Sequence, residues 1–285
     1  MVWASVLGER CIQSSSDYAK RLGRAFVGAA LFAIPLFMTM EMWQLGFVAD
    51  RIRLCALLLA SLPLLVALSH FAGFERTFGL VDDLLDAFAA FAIAIVSSAL
   101  ILAVAGVIAP GQPIEEIVAK IAVVSFPGAI GALLADKQLG GQERQASADQ
   151  RSYGGQLFLM TIGALFVALN VAPTEEMILI AFQITPWHAL ALAIASLGVL
   201  HALLFWIDFP GAQARRGERG FWSILVRESL AAYALCVLAS FALLWVFGRT
   251  DGVALTDLTE FVVVLAFPAS LGAGLAPLVV GETRE

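Results

Sequence analysis

Two stretches place carboxylates in apolar surroundings. Residues 32–43 read FAIPLFMTMEMW, with Glu41 inside the run, and residues 170–180 read NVAPTEEMILI, with Glu175 and Glu176 together. In each stretch a proline, Pro35 or Pro173, precedes a threonine, and a glutamate follows that threonine by two residues. A carboxylate within hydrocarbon costs up to a few kcal/mol on insertion scales, so such groups face a cavity or a partner. Proline has no N–H to donate and frees a carbonyl one turn earlier. Carbonyl, hydroxyl and carboxylate together make an oxygen-rich niche, which suits a hard cation or a proton. Glu41, Glu176, Thr39 and Thr174 are therefore candidate ion-binding residues, with Asn170 and Glu175 enriching the second set. If a metal ion binds, Glu41 and Glu176 are its expected ligands, and Pro35 and Pro173 are expected helix breaks. The plainer reading is a neutral glutamate that hydrogen-bonds a neighbouring helix and holds a bundle together.

Asp86 and Glu228 form a second matched pair of acids. Asp86, Ala90, Ala94 and Ser98 share one helix face, as do Glu228, Ala232, Cys236 and Ser240. A small-residue stripe topped by an acid could form a pathway mouth. First-turn acids also favour the helix dipole, and small residues allow close packing. In FPGAIGALLA (126–135) and FPASLGAGLA (267–276), Pro127, Gly131 and Ala135 fall at four-residue steps, as do Pro268, Gly272 and Ala276. That spacing predicts a tight helix–helix seam, with Pro127 and Pro268 as candidate hinges. Lone membrane histidines such as His70 and His201 can be haem ligands or proton relays, though a hydrogen-bonded structural role is commoner, and Lys120 is expected either to snorkel or to pair with Glu116.

These residues need elements to carry them. Of 285 residues, 60% are hydrophobic and 14% charged, against about 25% charged in a typical soluble domain. Apolar runs at 25–47, 54–73, 87–109, 116–135, 156–182, 187–207, 223–248 and 258–280 are each long enough for a membrane-crossing helix. The expected fold is an all-α polytopic membrane protein of eight helices. The net charge of −6 offers no basic face for nucleic acid. The three cysteines have no disulfide or metal-ligand spacing.

Lysine and arginine concentrate in the N-terminal arm and in the loops after the fourth and sixth segments. Positive charge is retained inside, so both termini are expected in the cytoplasm. The halves also align with each other. Gly28, Thr39, Glu41, Met42 and Ser61 match Gly163, Thr174, Glu176, Met177 and Ser196 at one offset, and DAFAAFAIAIVSSALILAVAG (86–106) aligns with ESLAAYALCVLASFALLWVFG (228–248). The expected organisation is a cytoplasmic arm (1–23), a first four-helix repeat (24–136), a cytoplasmic linker (137–155) and a second repeat (156–285). Repeats with an even number of spans enter from the same side and are related by a pseudo-twofold axis along the membrane normal.

The TMEMW and NVAPTEEM segments resemble a family of uncharacterised bacterial polytopic integral membrane proteins, which implies a place in the bacterial cytoplasmic membrane and no particular activity. Locally, NVAPTEE looks like the acidic repeat motif of calcium/cation exchangers, in which Asn, Pro and Glu surround the transported ion. Exchanger repeats are inverted and carry more helices, and Met40 stands here where the second copy has Glu175. The likeness implies a chemistry rather than a fold.

The expectation from these residues is a cation channel or proton-coupled cation transporter, not an enzyme, with acidic sites at the interface of two repeats. It needs no cofactor beyond a bound cation, and its partners are membrane lipid and an inorganic cation or proton. Outer-face acids, Asp50, Glu115, Glu116 and Asp257, would concentrate cations. The alternatives are a binding, sensor or scaffold protein of the membrane, or a membrane-embedded enzyme acting on lipid or haem.

Overall fold

The computed structural model describes residues 15–48, 50–72, 79–139, 152–206 and 221–280. The arm before residue 15, most of the 137–155 linker and the basic loop at 207–220 lie outside the described residues. Every described element is helical. The helices are α1 Ser15–Phe37, α2 Met40–Val48, α3 Arg51–Ala72, α4 Leu80–Val104, α5 Ile114–Leu139, α6 Tyr153–Val171, α7 Glu175–Gln183, α8 Pro186–Trp206, α9 Phe221–Val246 and α10 Leu255–Val280.

Seven of these, α3 to α6 and α8 to α10, contain a stretch long and apolar enough to cross a membrane. The apolar runs predict eight. The difference lies in 25–47, which is divided into α1 and α2, with Lys20, Arg21 and Arg24 loading the start of α1. The run 156–182 is likewise divided, into α6 and α7.

Without water to hydrogen-bond, backbone in hydrocarbon must be satisfied internally, which explains the dominance of long helices. Between such helices there is no hydrophobic drive, because lipid tails are as apolar as leucine, and association depends on close packing. Small residues supply it here. A Cβ added at Gly28 would lie 2.2 Å from Ala135 Cβ and 2.6 Å from the Gly131 carbonyl oxygen. In the second half of the chain, a Cβ at Gly163 would lie 2.5 Å from Ala276 Cβ and 2.3 Å from the Gly272 carbonyl oxygen. Thus α1 crosses α5 backbone to backbone, and α6 crosses α10 in the same way. The predicted seam is real, and it runs between these pairs.

Helices α5 and α10 form the centre. In the apolar stretch of α5, 72% of residues are buried, and in that of α10, 56%, against 28% in α3 and α8. Both run unbroken through Pro127 and Pro268, so neither proline interrupts its helix. Around α5 pack α1, α2, α3 and α4; around α10 pack α6, α7, α8 and α9. The stripes Ala90–Ala94–Ser98 and Ala232–Cys236–Ser240 are buried, and Ala94 lies 3.3 Å from where a Cβ on Gly128 of α5 would be. Asp86 and Glu228, at the tops of these stripes, are half-buried.

The two halves also end helices alike. Gly106 and Gly248 close α4 and α9 with φ of 73° and 71°. In each case the next N–H, of Val107 or Arg249, bonds back to Leu102 O at 2.9 Å or Leu244 O at 2.8 Å. This is the Schellman closure, in which a left-handed residue free of Cβ strain lets the chain satisfy the last carbonyls.

The glycine crossings make a clear prediction. Replacing Gly28 or Gly163 by leucine forces backbone apart and should cost at least about 1–3 kcal/mol, read as lowered thermal stability in detergent. Gly198→Ala on α8, where nothing lies within 4 Å of the new Cβ, should be neutral or slightly stabilising.

Candidate functional site

The two interruptions share one construction. Helix α1 continues two residues past Pro35 and stops at Phe37, so the expected break at Pro35 falls instead at Met38–Thr39. A proline inside a helix removes its own N–H bond, yet its φ remains helical, and the following residues can continue. Pro173, by contrast, lies outside the helix, after the C-cap Ala172. The Thr39 hydroxyl donates to Leu36 O at 3.0 Å, and the Thr174 hydroxyl donates to Val171 O at 2.8 Å. Each threonine thus ties the end of one helix to the start of the next.

The second pieces open with acids. Glu41 lies in the first turn of α2, and Glu175 and Glu176 in the first turn of α7. A negative charge there faces the unpaired N–H groups and the positive end of the helix dipole. Met42 and Met177, beside them in sequence, are buried. Glu41 is half-buried, while Glu175 and Glu176 are exposed on the surface of the chain. With Met177 and Ala181 facing the protein, residues 175 and 176 turn outward. Among the described residues, Glu41 and Glu176 are not joined to each other by any hydrogen bond.

Asn170 and Arg249 complete the second interruption. Asn170 Nδ2 donates to Phe166 O at 2.7 Å, leaving its buried Oδ1 without a partner among the described residues. Arg249, directly after the Schellman glycine of α9, donates through its guanidinium to Pro173 O at 2.7 Å. Its Nε is buried and has no partner among the described residues. The oxygen-rich niche read from the sequence therefore also has a fixed positive charge at its Pro173 carbonyl. At the aligned position the first half has Val107, whose carbonyl accepts from Lys120 Nζ at 3.0 Å. Lys120 also pairs with Glu116 at 2.6 Å, as expected from their spacing.

The acids expected to gather cations at this end are largely engaged. Asp50 accepts from the Ile52 N–H at 2.7 Å, starting α3. Glu115 pairs with Arg51 at 2.6 Å, though both are well exposed, where such a pair contributes little. The Asp257 carboxylate accepts from the Thr256 hydroxyl at 3.3 Å. Arg53 makes a two-pronged link. Its two terminal nitrogens donate to the two oxygens of Asp251 at 2.8 Å each, one also donates to Trp245 O at 3.1 Å, and the guanidinium stands 5.3 Å from the centre of the Trp245 ring. A planar guanidinium suits this fork geometry as lysine would not. The contact joins α3 to the α9–α10 loop, 198 residues away.

At the opposite end of the helices, His70 on α3 contacts Asp83 on α4, with 3.3 Å between Nδ1 and Oδ2. His201 on α8 is buried and lies 2.8 Å from Ser229 Oγ. Ser229 ends a π-helical turn, Leu225–Ser229, inside α9. Both histidines are hydrogen-bonded, as expected. Asp83, Ser229 and Arg249 are not among the residues that sequence reasoning singles out. Of the three, only Arg249 carries a signal, as a base immediately after a helix-closing glycine, where the dipole attracts cations. Among the described residues, no group of three or more His, Cys, Asp or Glu is arranged to hold a metal ion. Neither Glu41 nor Glu176 belongs to a group of that kind among the described residues.

Seven apolar helices of membrane-crossing length, organised around two buried central helices, define an integral membrane protein. Residues 21–280 match the family described as "Putative integral membrane protein (DUF2391)", and the chain belongs to that family. No curated protein and no solved structure matches the chain.

The Arg53–Asp251 fork carries a pH signature. Its hydrogen bonds from Arg53, and secondarily the charge of that guanidinium, hold the Asp251 carboxyl below its ordinary value. A group depressed in the folded state contributes stability above its unfolded pKa and loses it as pH falls through the folded one. Asp251→Asn should therefore melt below the wild type near neutral pH. The two melting curves should converge below about pH 4, the ordinary carboxylate range, when thermal stability is followed across pH in detergent.

Proposed function

We propose that this protein provides a transmembrane path for a proton or a monovalent cation, with the interruptions α1–α2 and α6–α7 as its paired sites. In this reading the chain is two four-helix units, 24–136 and 156–285, with the divided α1–α2 serving as the eighth crossing. The units are related by a pseudo-twofold axis along the membrane normal, and both termini lie in the cytoplasm, where the basic arm and loops would be retained.

The observation that carries the reading is the matched interruption. In each half, a helix stops before a threonine, the threonine hydroxyl returns to a carbonyl three residues back, and the next helix opens on a glutamate in its first turn. Discontinuous helices at corresponding places are the usual device by which transporters expose carbonyls and polar side chains to a substrate. The paired glycine crossings and paired Schellman endings support the duplication on which the correspondence depends. The donors suit a light, loosely held ion. A calcium ion takes six to eight oxygens, whereas these sites offer one or two carboxylates and neutral oxygens.

The halves would not be equivalent. Arg249 already supplies a positive charge to the Pro173 carbonyl, so the second interruption is partly answered by the protein itself. The first has no arginine at the aligned place, and Glu41 is the less exposed acid. Glu41 is thus the principal ion-binding group and Glu176 the subsidiary one.

Reconstitution into proteoliposomes tests this. Glu41→Gln should reduce cation or proton flux at least about tenfold, equivalent to about 1.4 kcal/mol of barrier. Glu176→Gln should have a smaller effect, and the double variant should be silent while eluting as a folded species. Undiminished flux in the folded double variant would end the proposal.

A further inference from the structure

A separate feature lies between α3 and α4. A groove of about 650 Å³ opens there, walled by Leu62, Val66 and Ala67 from α3 and by Leu84 and Phe88 from α4. Leu84 and Phe88 are themselves exposed, so the groove faces outward, toward the lipid that surrounds an integral membrane protein. Its apolar walls end at His70 and Asp83. These residues lie in the last turn of α3 and the first turn of α4, which places them at the depth where helices leave the hydrocarbon. From Leu62 to His70 the helix rises roughly 12 Å, much of one leaflet's acyl depth.

The polar end is unbalanced. Asp83 is 4% exposed, and one of its oxygens meets His70 while the other, Oδ1, has no partner among the described residues. A buried carboxylate oxygen without a donor is costly. The torsion that turns an aspartate carboxylate is soft and roughly two-fold, so the group can rotate to present an oxygen to a donor arriving along the groove. The side chain of His70 is 44% exposed and marks the way in.

From this geometry we propose that the α3–α4 groove holds a phospholipid whose head bears a primary ammonium. Its acyl chain lies along Leu62, Val66 and Phe88, and its ammonium donates to Asp83. An acceptor lacking a donor selects a cationic head with N–H bonds. A quaternary head has the charge and no N–H, and a glycerol head has hydroxyl donors but no cation to offset its phosphate. The site is independent of the ion path at the other end of the helices.

Native mass spectrometry of the full-length protein in detergent, titrated with dioleoyl phosphatidylethanolamine, phosphatidylcholine or phosphatidylglycerol, tests the assignment. The ethanolamine lipid should bind about tenfold more tightly than the choline lipid, the scale of one charge-assisted hydrogen bond. Successive N-methylation of the head should weaken binding stepwise in the wild-type protein. Asp83→Asn should bring the three lipids within about twofold of one another, again on the scale of that lost bond, and Ala67→Phe should weaken all of them by filling the groove. Equal binding of ethanolamine and choline lipids to the wild type, or a preference that survives in Asp83→Asn, would overturn it. Should Asp83→Asn fail to fold, the methylation series on the wild type decides alone.

Discussion

Two backbone-on-backbone crossings, Gly28 on Gly131 and Gly163 on Gly272, set the positions of everything else. Within hydrocarbon, helices gain little from hiding apolar side chains, and the approach of one backbone to another supplies the packing that holds them. At both crossings a methyl group would sit within 2.6 Å of a carbonyl oxygen of the facing helix. These contacts fix α1 on α5 and α6 on α10, and so fix the places where α1 and α6 stop. The outer helices then fill in. Their small-residue stripes close on the central pair, and their exposed faces, rich in leucine, valine and phenylalanine, remain for lipid.

A helix that stops must account for its last carbonyls, and the helix after it for its first N–H groups. The threonines answer part of this by bonding back three residues, and the first-turn glutamates answer part by their charge. The two halves then diverge. In the second, Arg249 reaches across from the end of α9 to the carbonyl of Pro173. In the first, the chain after α4 gives its Val107 carbonyl to Lys120, which is in turn held by Glu116. One half brings a cation to the interruption; the other keeps its cation on the central helix. On the proposed reading, this difference in electrostatics makes the two interruptions unequal in strength.

Much of the framework is legible in the sequence, because it depends on local rules. Glycine and alanine at four-residue steps announce the seams, and the long apolar runs announce the helices. The alignment of 86–106 with 228–248 ends on glycines that both close helices with positive φ. Pro35 misleads, since a proline marks where a bond is lost, whereas the chain turns where side chains and carbonyls can compensate, at Met38–Thr39. The charge partners are beyond the reach of local patterns. Arg53 meets Asp251 across nearly the whole chain, and neither residue has a neighbour in sequence that names the other. The burial of the acids is also hidden. Residues 175 and 176 look inward by composition, yet Met177 and Ala181 take the protein-facing side of that short helix.

The central claim is that the interruptions face water rather than lipid, and chemical access to them tests it most directly. In a background with Cys11, Cys55 and Cys236 replaced, a single Glu41→Cys or Glu176→Cys would be challenged in sealed vesicles with a charged, membrane-impermeant thiol reagent. The account predicts reaction from one face of the membrane at both positions. Thiols that resist the reagent from both faces, yet react with a lipid-soluble one, would place the acids against hydrocarbon and contradict it.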